Sequence, residues 1–395
     1  MENLQSYPIM KPRIQSIDLL RGIVMIVMAL DHTRDFIHYY ALAGFDPLNF
    51  TTTSAPIFLS RWITHFCAPI FIYLSGTSVF FMSERKTSTQ ISFFLFTRGL
   101  WLVILEFTIL QSAWGNFSLQ FTSVGVIALL GICMIILSVL IYLPQKILLP
   151  IGLLLVFGHN LLDNFDTVTS GVPGFIWSLL HVPHQFKIDD NHILEVLYCV
   201  IPWLGVMISG YVFGSLYNKN FDPFRRKKIL IRLGTACVVL FILLRSGNFY
   251  GDQHHWDKQS SAIFTILFFI DTSKYPPSLL YLLMTIGPGM IFLGYAEKMK
   301  GQFLNAITIF GRVPLFYYVL HIFLIYAIAW FVFYLQGYSM YHVDIRNSHT
   351  VPQGVGLPLF MVYFIWMAVI VILYFPCRRY NRYKSTHSYW WLSYM

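Results

Sequence analysis

Two carboxylates and two imidazoles lie close together near the end of the first hydrophobic segment: Asp31, His32, Asp35 and His38. On a helix, Asp31, Asp35 and His38 share one face, with His32 beside Asp31. A carboxylate near an imidazole raises the basicity of the imidazole and fixes its tautomer, as a general base near neutral pH requires. We therefore predict that Asp31, His32 and Asp35 are catalytic and that His38 contacts the substrate. The alternative is an interfacial ion-pair network around Arg34, with the histidines at the depth of the lipid headgroups.

A second polar set occupies the first half of the second hydrophobic segment, which contains Trp62 and His65. A histidine inside a hydrophobic span is costly unless it finds a partner, so its default interpretation is functional. Because a short polar loop joins the first two segments, we expect them to be neighbours. His65 is then predicted to face His32 or Asp31 and to be catalytic. The small residues 76–78 further along are predicted to be close-packing positions between helices.

Arginines mark the opposite end of the same segments, with Arg21, Arg98 and Arg312 within or beside hydrophobic runs. A guanidinium binds phosphate in a fork and resists deprotonation, so this set is predicted to hold an anionic nucleotide. The equally weighted alternative is that these side chains reach toward lipid headgroups. His321 follows Pro314, which frees a backbone carbonyl, and it is predicted to line a passage between the arginines and the histidines. A histidine that is buried and bonded to a neighbouring carbonyl is the alternative.

Aromatic and polar residues of the outer connections suit the recognition of a sugar by stacking and hydrogen bonding. Trp62 and Trp256 are the predicted contacts, together with His38. The pair His254 and His255 could suggest a metal, but no Cys or carboxylate spacing supports it, and no metal is expected.

The elements that must position these residues are membrane helices. The 395 residues are 56% hydrophobic and only 11% charged, which is too apolar for a soluble domain. The fold class predicted is an all-α polytopic membrane helix bundle of about ten transmembrane helices, each about 20 residues long. The predicted segments are 16–38, 56–82, 91–112, 124–143, 146–163, 193–216, 229–245, 277–296, 306–335 and 357–376. Two stretches too short to span, 174–180 and 262–270, are predicted to be re-entrant or interfacial.

The basic residues give the orientation of this bundle. With the N-terminus inside, sixteen of the 27 Lys and Arg residues fall on the cytoplasmic side and six fall outside. This bias predicts that both termini are cytoplasmic. It also explains the net charge of +9 without nucleic acid as a partner. We expect one domain over 1–395, with cytoplasmic tails 1–13 and 377–395, in a bacterial plasma (inner) membrane. The five cysteines lie in or beside spans and indicate neither disulfides nor zinc.

Three blocks of the sequence resemble a known family. Residues 13–22 (RIQSIDLLRG) have the pattern R-x-x-S-x-D-x-x-R-G, residues 65–69 (HFCAP) lead to a small-residue turn at 76–78 (GTS), and residues 310–315 (FGRVPL) lead to His321. Together they resemble the heparan-α-glucosaminide N-acetyltransferase family and its bacterial membrane relatives. In this resemblance His32 stands where the lysosomal member has Asn, and His65 stands where that member has an acidic residue.

The resemblance implies a multi-pass acyltransferase that moves acetyl from cytosolic acetyl-CoA to a sugar amine or hydroxyl on the extracytoplasmic side. Arg21, Arg98 and Arg312 would hold the phosphates of CoA, and the pantetheine would thread past His321 toward His32 and His65. One of these last two imidazoles would take the proton of the acceptor, with direct transfer and an acetyl-histidine intermediate both open.

Two other classes of protein remain as alternatives. One is a proton-coupled secondary transporter of a small solute, against which the absence of an inverted repeat in the sequence argues. The other is a structural or partner-binding membrane protein. The expected partners are the lipid bilayer, acetyl-CoA and a glycan acceptor, and a homodimer is a further expectation.

Overall fold

The computed structural model describes residues 14–115, 119–165, 171–338, 351–352 and 354–395. In the first half of the chain the helices are α1 Gln15–Ile37, α2 Tyr39–Leu42, α3 Ala55–Trp62, α4 Cys67–Ser83, α5 Ser88–Leu105, α6 Gln111–Ala113, α7 Val126–Leu140, α8 Gln145–Gly158 and α9 Gly171–Leu180. The second half contains α10 Val200–Phe213, α11 Pro223–Gly247, α12 Ala262–Ile270, α13 Leu279–Ala296, α14 Gln302–Arg312, α15 Pro314–Leu335 and α16 Leu359–Thr386. A π-helical turn, Glu106–Leu110, joins α5 to α6, and 3-10 turns occur at Ile63–Phe66, His159–Phe165, Gly214–Tyr217 and Trp390–Ser393.

The all-α polytopic bundle predicted from the sequence is confirmed. Among the described residues, eight helical runs are long and apolar enough to cross a membrane: Ala55–Ser83, Ser88–Ala113, Gln145–Phe165, Val200–Tyr217, Pro223–Gly247, Leu279–Ala296, Pro314–Leu335 and Leu359–Thr386. The other two predicted segments correspond to α1 and α7. Helix α1 has 23 residues but carries Asp18, Arg21, Asp31, Arg34 and Asp35, and α7 has only 15 residues.

One predicted boundary is wrong, and one predicted segment is divided in two. The sixth segment was expected from residue 193, but Ile193–Val196 forms strand β3, and helix α10 begins only at Val200. β3 pairs in parallel with β1 (Phe121–Val124) and antiparallel with β2 (His184–Lys187). A short apolar run does not distinguish a strand from a helix end, so the partner strands decide. The ninth segment is divided into α14 and α15, because Pro314 has no N–H to continue the helical hydrogen bonds.

Close backbone contacts hold α1 and α4 at the centre of the bundle. A Cβ added to Gly311 of α14 would lie 1.9 Å from the carbonyl oxygen of Asp18 on α1. A Cβ added to Gly76 of α4 would lie 2.0 Å from the carbonyl oxygen of Met207 on α10. Only glycine permits such approaches, so the prediction of a close-packing position at Gly76 is confirmed. The same packing places Arg312 beside α1.

The outer loops are fixed by a buried arginine. Arg245 at the end of α11 donates to the carbonyls of Phe268 and Phe269, at 3.1 and 2.9 Å, and also to that of Asp271. These carbonyls belong to the last turn of α12 and the residue after it, where unpaired acceptors face outward. Helix α12 and the chain that follows it, including Lys274, are therefore held against the bundle.

We expect the free energy of unfolding to depend on pH because of the partly buried carboxyl group of Asp271. Burial, with Asp252 and Asp46 nearby, raises the pKa of Asp271 to about 7. Between about pH 4 and about pH 7 the folded state retains a proton that the unfolded chain has released, so the free energy of unfolding falls as pH rises through this interval. Asp271→Asn should remove this decrease and raise the thermal midpoint in detergent at about pH 8 relative to wild type. Equal midpoints of variant and wild type at high pH would contradict the assignment.

Candidate active site

A cavity of about 320 Å³ lies between α1, α4, α5, α7 and the start of α15, and cationic side chains surround it. We call it the arginine cavity; the cations that line it are Arg21, Lys86, Arg98 and Lys384. Arg21 is oriented by bonds to Ser78 Oγ at 2.8 Å and to the carbonyls of Leu74 and Gly311, both at 3.3 Å. Ser78, predicted as a packing position, therefore also fixes a cation at this site. The rest of the lining is mainly apolar, as a site for a long donor with an anionic end requires.

The C-terminal residues lie over part of this cavity. Arg98 donates to the carbonyl of Ser393, which itself lines the cavity. Tyr394 adds a hydrogen bond of 2.8 Å between its hydroxyl and that of Thr97. Arg312, the third predicted phosphate ligand, instead forms an ion pair with Asp18 at 3.3 Å and is outside the described lining. Two of the three predicted arginines therefore meet in one cavity.

A second cavity, of about 60 Å³, lies further along α1. We call it the histidine cavity, because His32 lines it together with Asp31 and Lys274. Its other lining residues are Met25, Met28, Thr64, Cys67, Ala68, Phe71, Val126, Ile127, Tyr198 and Tyr318. A volume of this size has room for a few non-hydrogen atoms, since one water needs about 10–15 Å³ by this measure.

The two cavities are neighbours. Phe71 on α4 and Ile127 on α7 line both of them, so one layer of side chains separates the two spaces. Glu106 fixes this layer, because its Oε2 accepts from the backbone N–H groups of Ile127 at 3.1 Å and Ala128 at 3.0 Å. A carboxylate at a helix N-terminus is a stabilising arrangement, so the start of α7 is held where the cavities meet.

A chain of hydrogen bonds sets the tautomer of His32. His321 Nδ1 lies 3.0 Å from the carbonyl oxygen of Tyr317, which only an N–H can contact favourably. Its Nε2, 2.7 Å from His32 Nδ1, is then the acceptor in the neutral ring, and His32 Nδ1 is the donor. The remaining nitrogen of His32, Nε2, has no hydrogen-bond partner among the described residues and carries the free lone pair. Trp114 packs edge-on against the His32 ring at 4.9 Å.

The two carboxylates predicted to hold this imidazole, those of Asp31 and Asp35, instead accept hydrogen bonds from arginines. Asp31 accepts from Arg34 at 2.6 Å and from Arg61 at 2.7 and 2.8 Å, and Asp35 accepts from Arg34 at 2.6 Å. Neither carboxylate is hydrogen-bonded to His32 in the described part of the chain; His321 has that position. The ion-pair network considered as the alternative is therefore present, but His32 lies inside a cavity beside it.

His65 is fully buried, yet it does not line the histidine cavity. Neither of its ring nitrogens has a hydrogen-bond partner among the described residues, and the ring packs on Tyr281 with centroids 5.5 Å apart. The Tyr281 hydroxyl donates to the carbonyl of His65 at 2.8 Å. The predicted pairing of His65 with His32 or Asp31 is not formed by any hydrogen bond in the described residues.

The predicted sugar contacts are dispersed. His38 is buried where α1 ends, and its backbone pairs with Leu357. Trp62 packs on Phe66, whereas the Trp256 indole donates to the carbonyl of Arg245 at 2.7 Å. The structure places these three side chains in separate surroundings, outside the described lining of either cavity.

Sequence reasoning missed Lys274, Tyr198 and Tyr318 as residues of the site. Lys274 was counted only as one of the six outer basic residues, because nothing in an outer loop predicts that it folds back into the bundle. The one available signal was the Tyr275-Pro276-Pro277 run, which restricts the chain after Lys274. In the described residues no group of three His, Cys, Asp or Glu side chains is placed to hold a metal ion.

The fold and the two cavities define a polytopic membrane protein with a site inside its bundle. Over residues 13–245 the chain matches the sequence profile described as heparan-alpha-glucosaminide N-acetyltransferase, catalytic. This match covers more than half of the chain, and the protein belongs to this family of membrane acetyltransferases. No curated protein matches the sequence. The matched range contains Arg21, His32 and Arg98, whereas Lys274 and His321 lie beyond it.

Proposed function

We propose that this protein transfers an acetyl group from cytosolic acetyl-CoA to a sugar amine or hydroxyl on the extracytoplasmic side of the bacterial inner membrane. The observation that carries the proposal is the adjacency of the two cavities. One offers cations at the end of the bundle predicted to be cytoplasmic, the other offers an imidazole, and Phe71 and Ile127 border both of them.

The donor would occupy both spaces. Arg21 and Arg98, with Lys86 and Lys384, would bind the phosphates of CoA in the arginine cavity. The thin pantetheine arm would pass Phe71 and Ile127 and bring the thioester beside His32. For this the C-terminal residues must move away, since the carbonyl of Ser393 accepts a hydrogen bond from Arg98.

His32 would act as the general base through Nε2. The acceptor oxygen or nitrogen attacks the thioester carbonyl carbon while its proton moves to Nε2, and collapse of the tetrahedral intermediate expels the CoA sulfur, which takes that proton. In the acetyl-histidine variant Nε2 itself attacks the thioester carbonyl carbon, and the C–S bond breaks to release the CoA thiolate. The acceptor then attacks the acetyl carbon, the bond from that carbon to Nε2 breaks, and the proton of the acceptor passes to the thiolate. Both routes need the lone pair that the contact with His321 leaves free. Asp31 and Asp35 would act on His32 through charge, balancing the cations around it, and His65 would support the fold from outside the cavity.

Donor binding gives the most direct test. Purified protein in detergent should bind acetyl-CoA in a calorimeter, whereas the transporter and partner-binding alternatives predict no binding. Transfer itself is measured as radiolabel passing from acetyl-CoA to envelope glycans in membranes with and without the protein. Absence of both binding and transfer would refute the proposal.

Arg98→Gln should weaken the binding of acetyl-CoA by about 10- to 100-fold, because a charge-assisted hydrogen bond to phosphate contributes about 1.5–3 kcal/mol. Arg232→Gln is the matched control, since Arg232 is an exposed arginine within α11 and outside the cavity lining. Equal affinities of the two variants would show that Arg98 holds no phosphate.

A further inference from the structure

We infer that Lys274 is a catalytic residue that stabilises the negative charge formed on the thioester carbonyl oxygen during transfer. This inference rests on the proposed function. Lys274 lies in the segment between α12 and α13, and it lines the histidine cavity with His32.

The first argument is that the ammonium group of Lys274 is buried without donating a hydrogen bond to any described residue. The Lys274 side chain is only 9% exposed. Its nearest described carboxylate oxygen is Asp31 Oδ2, at 4.0 Å, which is too far for a hydrogen bond. Its other described contact is the face of the Tyr275 ring, whose centroid lies 5.2 Å from Nζ. Neither contact accepts a hydrogen bond from the ammonium, and burying a charged group without hydrogen bonds is costly unless a ligand accepts them.

The second argument is that Asp31 does not need this lysine. Both oxygens of Asp31 already accept from arginines, with Arg34 and Arg61 at 2.6 to 2.8 Å. Arg34 also pairs with Asp35. The cluster therefore contains three cations and two carboxylates, and the surplus positive charge lies on the side of the histidine cavity where Lys274 stands.

The third argument is chemical. When the acceptor attacks the carbonyl carbon, the electron pair of the C=O bond moves onto the oxygen, and it returns when the C–S bond breaks. A fixed cation in a site with little water stabilises this transient charge far more than the neutral ground state. His32 would accept the proton of the acceptor, and Lys274 would stabilise the oxyanion. The cavity would then contain both the general base and the oxyanion donor that acyl transfer requires.

The test compares Lys274→Met, Lys274→Arg and the control Lys258→Met, which removes an exposed lysine from the same outer loops. Release of the CoA thiol from acetyl-CoA is followed in envelope vesicles that contain the native acceptor pool. Lys274→Met should lower kcat by about 10²- to 10³-fold, the usual effect of losing one oxyanion donor, with little change in KM for acetyl-CoA. Lys274→Arg should recover part of the rate, and Lys258→Met should match wild type.

A purely structural role for Lys274 would give a different dependence of kcat on the thioester donor. With a fluoroacetyl thioester the loss in Lys274→Met should shrink, because the fluorine itself stabilises the oxyanion. An equal loss with both donors, or kcat within threefold of wild type, would overturn the inference while leaving the proposed function intact. If Lys274→Met does not fold, the acetyl and fluoroacetyl thioesters are compared with Lys274→Arg instead. The guanidinium of this variant is displaced from the position of the ammonium, so the loss of kcat should be smaller but should still differ between the two donors. Failure of wild type to release thiol from either donor would instead refute the proposed function.

Discussion

His32→Ala lowers the rate constant for acetyl transfer by about 10²- to 10⁴-fold, the range expected when a general base is removed. His32 carries the only imidazole among the described residues of the histidine cavity, and its Nε2 is left free by the bond to His321. Binding of acetyl-CoA should change little, since the proposed place of its phosphates is the arginine cavity. Initial rates of thiol release and calorimetric affinities, measured on the same preparation, separate the two effects.

His65→Gln is the matched control for this experiment, because His65 is another buried histidine of the same region but does not line the cavity. It should retain most of its turnover, and any loss should follow the amount of folded protein. Wild-type transfer by both His32→Ala and His65→Ala would exclude a histidine base. Loss confined to the His65 variant would reverse the assignment.

Asp31→Ala should lower the free energy of unfolding by about 3–5 kcal/mol, because it leaves a buried group of cations without its central counter-charge. Asp31 contacts Arg34 and Arg61 directly and lies 4.0 Å from Lys274. A fall in the thermal midpoint in detergent is the readout, and it should occur with or without acetyl-CoA.

Asp35→Ala serves as the comparison for Asp31→Ala. Among the described residues Asp35 has one ion-pair partner, Arg34, and its side chain is 42% exposed, so the loss should be about 1 kcal/mol or less. Similar midpoints for the two variants would mean that the network around Asp31 contributes little to the stability of the fold.

The sequence allowed the prediction of those parts of the site that lie on helices. His32, Arg21 and Arg98 were identified because a polar residue in an apolar span has few interpretations, and helical spacing orders such residues along the bundle. The partner of His32 could not be chosen in this way. Asp31 is its sequence neighbour, yet arginines take both oxygens of Asp31, and the contact is made by His321, 289 residues away.

Residues whose position depends on loops were beyond the same reasoning. Lys274 reaches the cavity from a segment that Arg245 holds at the end of α12 and Asp252 holds at Ser273 and Ser278. Strand β3 pairs with β1 on one side and β2 on the other. Arg312 was grouped with Arg21 and Arg98 as a phosphate ligand, but whether it faces Asp18 or the arginine cavity depends on the rotation of α14. Long-range packing of this kind leaves no local pattern in the chain.

The layer formed by Phe71 and Ile127 has a consequence for the cell's energy supply. A membrane protein with charged groups at both ends and imidazoles between them could conduct protons if water filled its interior. Each elementary charge that crosses the membrane dissipates about 2.3 kcal/mol per 100 mV of membrane potential. The apolar side chains of Phe71 and of Ile127, whose backbone N–H donates to Glu106, lie between the two spaces and would exclude water there. Smaller side chains at both positions would therefore lower the membrane potential of cells that produce the protein, whether or not any acceptor is present.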